Sequence, residues 1–303
     1  MSSWQLKDRT LELGQPIGAG IVNVTDDSMF AGARSGTPDH AVEDGLRLVA
    51  QGFEMLDVGA VAARSGPQVA TEHEAERLVP AIAGLAEATD VPISADTFST
   101  AVAERALQAG AAAINDISGA ADPDLLALAA ATGCGLVLMH IEGPPRADRP
   151  PPTYEDPVEH LRGWFARRLE AAVDQGVSLE QIALDPGLDF DLSVSDDLEV
   201  LRRLHELRDL GRPLYVSLSR KDFLGAVVSG SWESRLPAEE REWATSAAVA
   251  RAVAGGADIL RLHDASALQA MRVAAAIEAP AARGHLSGHI PDKGPSSRRA
   301  AGG

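Results

Sequence analysis

Asn115 and Asp116 end the run AAAINDISGA, residues 111 to 120. Its alanines and isoleucine call for burial, yet its last polar side chains are costly to bury. The pattern recurs along the chain: other apolar runs finish on Asn23, Asp57, Asp96, His140 and Asp185, on Ser219 with Lys221, and on Arg261 with His263. One polar end marks a strand that reaches the surface. A repeated set points to a shared polar pocket. In such a pocket Asp96, Asn115 and Asp185 can accept hydrogen bonds from paired N–H groups. A flat nitrogen heterocycle with an amino-amidine edge would satisfy them, and Lys221 can donate to a ring carbonyl or nitrogen. The competing reading is an internal Asp–Lys pairing that closes the top of the fold.

Arg261 and His263 stand two apart in LRLHD, and residues i and i+2 of a strand share a face. With Arg64 they would form a cationic cluster suited to phosphate or diphosphate. The alternative for His263 is a core histidine bonded to a backbone carbonyl. Asn23 offers a carbonyl oxygen to Mg²⁺, a hard ion that takes oxygen ligands and water.

These residues need strands to place them. The runs PIGAGIVNV, FEMLDVG, VPISADT, AAAINDIS, GLVLMH, QIALDPG, PLYVSLS and DILRLHD read as strands. Between and after them lie Ala- and Leu-rich segments with helical spacing, such as DHAVEDGLRLVAQG, PVEHLRGWFARRLEAAVDQG and SDDLEVLRRLHELRDLG. Eight strands alternating with helices predict an α/β fold, a TIM (β/α)8 barrel, as a single domain over residues 1–280. In that barrel every strand end converges on the C-terminal face, where active sites sit. A doubly wound dinucleotide-binding sheet would carry a glycine fingerprint after its first strand, and none is present. Residues 281–303, rich in Gly, Pro, Ser and Arg, read as a disordered tail.

The formal net charge of -17 argues against a nucleic-acid partner. An anionic substrate would then need a local cationic cluster or a metal ion. No apolar run approaches the length of a membrane span. The first residues, MSSWQLKDRT, lack the basic start and apolar stretch of a signal peptide. The single cysteine, Cys134, cannot form an internal disulfide and reads as a buried spectator. A cytoplasmic location follows as the expectation.

The stretches GIVNVTDDSMF, LDVG, ISADT, AINDISG, VLMH, LDPG, LSRKDFLG and RLHDA, in this order, resemble the dihydropteroate synthase branch of the pterin-binding enzyme family, over about residues 17 to 279. The resemblance implies a TIM barrel. It implies condensation of 6-hydroxymethyl-7,8-dihydropterin diphosphate with p-aminobenzoate, releasing diphosphate, in folate biosynthesis. It gives the pterin to Asp96, Asn115, Asp185 and Lys221, with Met139, Phe190 and Ser219 completing the substrate-binding set. It gives diphosphate to Arg64, Arg261 and His263, and Mg²⁺ or diphosphate to Asn23. Asp96, Lys221, Arg261 and His263 would act in catalysis. The family is commonly dimeric, so a homodimer is expected, with no nucleic-acid or membrane partner.

The chain departs from the family around the second substrate. Where the family has GGESTRPG, residues 59–66 read GAVAARSG, so Ala62 and Ala63 replace a Ser-Thr pair beside Arg64. After DPG the family usually shows GFGK. Here LDFDL keeps Phe190 but sets Asp189 and Asp191 near the expected place of an anionic aromatic. Altered or lost p-aminobenzoate use in a diverged paralogue is one alternative, and a non-catalytic pterin-binding module is a second. A pterin-dependent methyltransferase is another, and Arg261 with His263 argues against it, because methyl transfer has no diphosphate to hold.

Overall fold

Short runs of Ala, Val, Ile and Leu form eight parallel strands, each followed by a helix that covers its outer face. The computed structural model describes residues 2–24, 36–61, 69–147 and 152–279. The barrel strands are β3 (Ile17–Asn23), β4 (Met55–Gly59), β5 (Ile93–Asp96), β6 (Ala113–Asp116), β7 (Gly135–Met139), β8 (Ile182–Asp185), β9 (Tyr215–Ser217) and β10 (Ile259–Leu262). They pair in the order β8-β7-β6-β5-β4-β3-β10-β9. A parallel bridge between Leu184 and Leu214 closes the ring, supported by Leu184 N donating to Pro213 O at 2.8 Å. This is the expected TIM barrel.

The helices are α1 (Pro38–Ala50), α2 (Thr71–Ala88), α3 (Thr100–Gln108), α4 (Pro123–Thr132), α5 (Pro157–Asp174), α6 (Val194–Arg202), α7 (Asp222–Ser229), α8 (Glu242–Ala254) and α9 (Ala265–Glu278). Several start on a capping side chain followed by proline, the arrangement that satisfies free N–H groups at a helix start. Asp156, for example, accepts from Val158 N at 2.9 Å and Glu159 N at 3.1 Å. Among the described residues, no helix is long and apolar enough to cross a membrane.

Period-two alternation sorts the strand side chains. Leu56, Val58, Ile114, Leu136, Leu138, Ile182, Leu184, Leu260 and Leu262 face the helices in the main core. Ala19, Met55, Ala113, Val137, Ala183, Tyr215 and Ile259 fill the barrel interior. An antiparallel hairpin of β1 (Ser2–Gln5) and β2 (Thr10–Leu13) seals the N-terminal end. Its Trp4, Leu6 and Leu13 pack onto the interior residues, and Trp4 Nε1 donates to Gln181 O at 2.7 Å.

Three features differ from the sequence reading. The hairpin was not expected, because its two strands are only four residues each. Residues 195–211, read as one helix, break after α6 into a 3-10 turn, Leu204–Leu210, that puts Leu204 and Leu207 into the core. Helix α7 follows Lys221 where the sequence reading had no helix. The expected tail at 281–303 lies outside the described residues.

Candidate active site

The inner face of the strands carries the polar mouth one layer above the apolar interior. Asn23 lies opposite Gly59, Gly59 opposite Asp96, and Asp96 opposite Asn115 in the ladder. Two residues before Gly59 on the same face stands Asp57, fully buried. Its carboxylate accepts from Asn115 Nδ2 at 3.1 Å, and it also accepts from Ser94 Oγ and Arg261 Nε. Arg261 Nη2 reaches on to Asp96 Oδ2 at 2.7 Å. Residues from β4, β5, β6 and β10 therefore form one network, and it includes three of the sequence-predicted side chains: Asp96, Asn115 and Arg261.

Asp57 is the residue that sequence reasoning left without a role. It appeared there only as one polar strand end among several. Its parity with Gly59 on β4 was the available signal, since that parity puts it on the inner face.

Burial sets the charges of the mouth. It pushes the Asp96 carboxyl above the usual range. Arg261 opposes that push, while Asp57 and Glu74 add to it. Asp185 rises to about 6, again chiefly through burial, although Gly187 N donates to its Oδ1 at 2.8 Å. The turn that delivers this N–H needs glycine. Gly187 has φ +70°, and a Cβ there would fall 2.2 Å from His140 O. Burial opposes the Arg261 charge, but Asp57 and Asp96 more than compensate and hold it above its ordinary value.

Burial acts on His263 as well. Burial, with Arg261 and Arg220 nearby, lowers it to about 3. That shift favours the neutral imidazole, and its Nδ1 lies 2.8 Å from Ser219 Oγ. Ser219 therefore orients His263, and its hydroxyl also accepts from His263 N at 3.3 Å.

Lys221 Nζ donates to Leu188 O at 3.0 Å and sits 4.7 Å from the centre of the Phe190 ring. Phe190 packs with Phe98 against Ile117, Met139 and Ile141, an apolar wall beside the charged network. Met139 and Phe190 thus share one apolar cluster.

Two strand-end residues do not belong to the mouth. Asp116 follows Asn115 by one position and so faces outward. It accepts from Ser118 N at 2.8 Å, Ser118 Oγ at 2.9 Å and Ala120 N at 2.6 Å, which shapes the loop after β6. His140 follows Met139 by one and packs edge-on against Trp164 of α5, with centroids 5.2 Å apart.

The acidic pair after DPG engages backbone donors. Asp189 accepts from Asp222 N at 2.8 Å and Phe223 N at 2.9 Å, capping α7. Asp191 accepts from Glu142 N at 2.7 Å. Both are buried and committed to backbone donors. Arg64, with Ala62, Ala63 and Ser65 of the altered loop, lies outside the described residues.

A family model described as pterin binding enzyme matches residues 19–263. The dihydropteroate synthase of Synechocystis sp. is 40% identical over 261 residues, covering 85% of this chain and 89% of that protein. The structure of Xanthomonas albilineans dihydropteroate synthase with 4-aminobenzoic acid is 35% identical. It superposes with TM-score 0.82, covering 92% of this chain and 100% of the other. The same enzyme in complex with 7,8-dihydropteroate gives TM-score 0.77 at 34% identity, over 91% of this chain and 99% of the other.

Proposed function

The chain belongs to the pterin-binding enzyme family, and from that premise we propose how its residues carry out the dihydropteroate synthase reaction. The reaction condenses 6-hydroxymethyl-7,8-dihydropterin diphosphate with p-aminobenzoate and releases diphosphate, in folate biosynthesis. The observation that carries the residue-level reading is the Asp57–Asn115–Arg261–Asp96 network at the barrel mouth.

The pterin's amino-amidine edge donates to Asp96, Asn115 and Asp185, and Lys221 donates to the ring. Arg261 Nη2 holds Asp96 in the structure, so a pterin must compete with it for that carboxylate. Asp57 keeps its grip on Arg261 Nε while Nη2 is released. The freed donor then turns to the diphosphate, joined by His263 and Arg64. Binding of the ring thereby arms the group that receives the leaving group.

As the C–O bond breaks, positive charge develops on the pterin methylene, and Asp96 and Asp185 stabilise it. Arg261 and His263 stabilise the departing diphosphate. The amine nitrogen of p-aminobenzoate forms the new C–N bond and then loses a proton. No side-chain nucleophile is required.

The donor set fits Mg²⁺. Asn23 is partly exposed at the end of β3, and Gly59 beside it has no side chain to fill the space toward Asp96. Asp57 is held by Arg261, and Asp96 by Arg261 or, once the ring binds, by the pterin edge. Asn23 would therefore hold the ion through one oxygen, leaving the other positions to diphosphate and water, as Mg²⁺ prefers. Bound there, Mg²⁺ would neutralise charge on the diphosphate.

We further propose a homodimer formed through α8 and α9, where Trp243 is 86% exposed and Ile277 74%. The proposed location is cytoplasmic, consistent with a lone buried cysteine.

Purified protein incubated with pterin diphosphate, Mg²⁺ and p-aminobenzoate should release diphosphate and form dihydropteroate. Asp96→Ala and Asn115→Ala should each weaken pterin binding. Unchanged affinity in both variants would remove the pocket assignment.

A further inference from the structure

Outside the mouth, two imidazoles and a carboxylate converge on the outer side of β7. We propose that His140, Glu142 and His160 form a site for a divalent transition-metal ion of the zinc class. One donor atom from each residue lies within 4.8 Å of the others. Glu142 Oε1 is 2.6 Å from His160 Nε2 and 3.4 Å from His140 Nε2. A tetrahedral zinc ion with bonds of about 2.1 Å spaces its ligands about 3.4 Å apart. The His140 spacing already meets this, and His160, partly exposed on the first turns of α5, has only to draw back.

The donor set selects the ion. Two imidazoles with one carboxylate suit Zn²⁺, Co²⁺ or Ni²⁺, whereas Mg²⁺ and Ca²⁺ prefer oxygen alone. Three protein ligands leave a fourth position for water, the pattern of an open zinc site.

The surroundings hold the ligands in place. Asp191 accepts from Glu142 N at 2.7 Å and anchors the backbone of that ligand. The Tyr154 ring packs 4.4 Å from the His160 ring, and Trp164 packs 5.2 Å from His140. Such support fixes ligand orientation before an ion arrives. His140 is fully buried, and its Nε2, the nitrogen that an ion would take, has only the long contact to Glu142 at 3.4 Å among the described residues. A buried imidazole this poorly satisfied calls for an unseen partner.

A surface groove lined by Thr153, Tyr154, Glu155, Asp156, Glu159 and His160 opens beside the site. Its three carboxylates give a hydrated cation an electrostatic approach that ends on a ligand.

The test is titration of the full chain with Zn²⁺ by calorimetry, paired with the absorption spectrum of the Co²⁺ form. The wild type should bind one equivalent and show the visible bands of low-coordinate Co²⁺. His160→Gln and Glu142→Gln should each weaken binding by about tenfold or more, with the bands lost. His160 is partly exposed, so the circular dichroism of its variant should match wild type. A double variant, His285→Gln with His289→Gln, controls for the tail and should bind as wild type. Absence of a saturable site overturns the proposal. So does binding that survives His160→Gln, which would leave the His160–Glu142 contact as a pin between β7 and α5.

Discussion

At the N-terminal end of the barrel, Trp4 and Leu6 reach in from a hairpin and pack on Met55, Ala113 and Tyr215. At the C-terminal end, Asp57, Asp96, Asn115 and Arg261 occupy the same central axis with charge. One end gains stability from apolar burial. The other buries acids whose pKa values are driven upward, a cost to the fold. In this architecture the bottom carries stability and the top carries chemistry, so substitutions at the two ends should separate folding from activity.

Trp4→Ala should give the largest stability effect. It empties a fully buried indole and breaks the bond to Gln181 O. A loss of about 3–5 kcal/mol is expected in denaturant unfolding, with kcat/KM per folded molecule unchanged. A proportionate fall in activity of the folded fraction would show that the two ends are coupled.

Asp96→Ala and Arg261→Ala should do the reverse. Each removes a charge that acts on the reacting groups, and kcat/KM should fall by about 10²–10³. The melting curve of Asp96→Ala should move little by comparison, whereas Arg261→Ala also strips the fully buried Asp57 of its cation and should cost about 3 kcal/mol of stability. An active Asp96→Ala variant would break the functional side of the contrast.

Asp185→Asn sharpens the contrast further, because it should stabilise the fold while lowering activity. The carboxyl titrates at about 6 in the fold against an ordinary value of 3.8. Between those values the folded protein keeps a proton that the unfolded chain has lost, so stability falls as pH rises through the window. Above it the penalty is on the order of 2–3 kcal/mol. His263 runs the other way: its pKa drops from 6.5 to about 3, so its contribution is full above 6.5 and is lost as pH falls. The Asn variant should therefore melt above wild type at neutral and alkaline pH, with the gap closing below about pH 4. A gap independent of pH would mean that burial of the Asp185 charge is not its cause.

The strand ends and the barrel were legible in the sequence, because period-two runs followed by helices leave few topologies. The parity within a strand end was harder to read. Asn115 with Asp116, and Met139 with His140, are neighbours of which only the first faces inward. The role of Asp57 was hidden because its partners, Asn115 and Arg261, lie 58 and 204 residues away in the chain. The hairpin was hidden by the brevity of its strands: SSWQ and TLEL show too few alternations to stand out.

The smallest effect tests which mouth charges face the substrate. Asp189 stands two residues after Gly187, and from sequence its charge seemed set to repel p-aminobenzoate. In the structure it has φ +71°, and its carboxylate turns back onto the N–H groups of Asp222 and Phe223. Asn tolerates that backbone region, but the two N–H groups bind separate carboxylate oxygens, so Asn can accept from only one of them. Asp189→Asn should therefore cost about 1 kcal/mol, while the KM for p-aminobenzoate should stay where it was. A several-fold fall in that KM would mean the carboxylate does look into the site, and that the negative charge there hinders the second substrate. If KM holds while Asp189→Ala, which loses both bonds, destabilises by about 2 kcal/mol, the residue belongs with the hairpin on the structural side of the contrast, although it sits at the functional end.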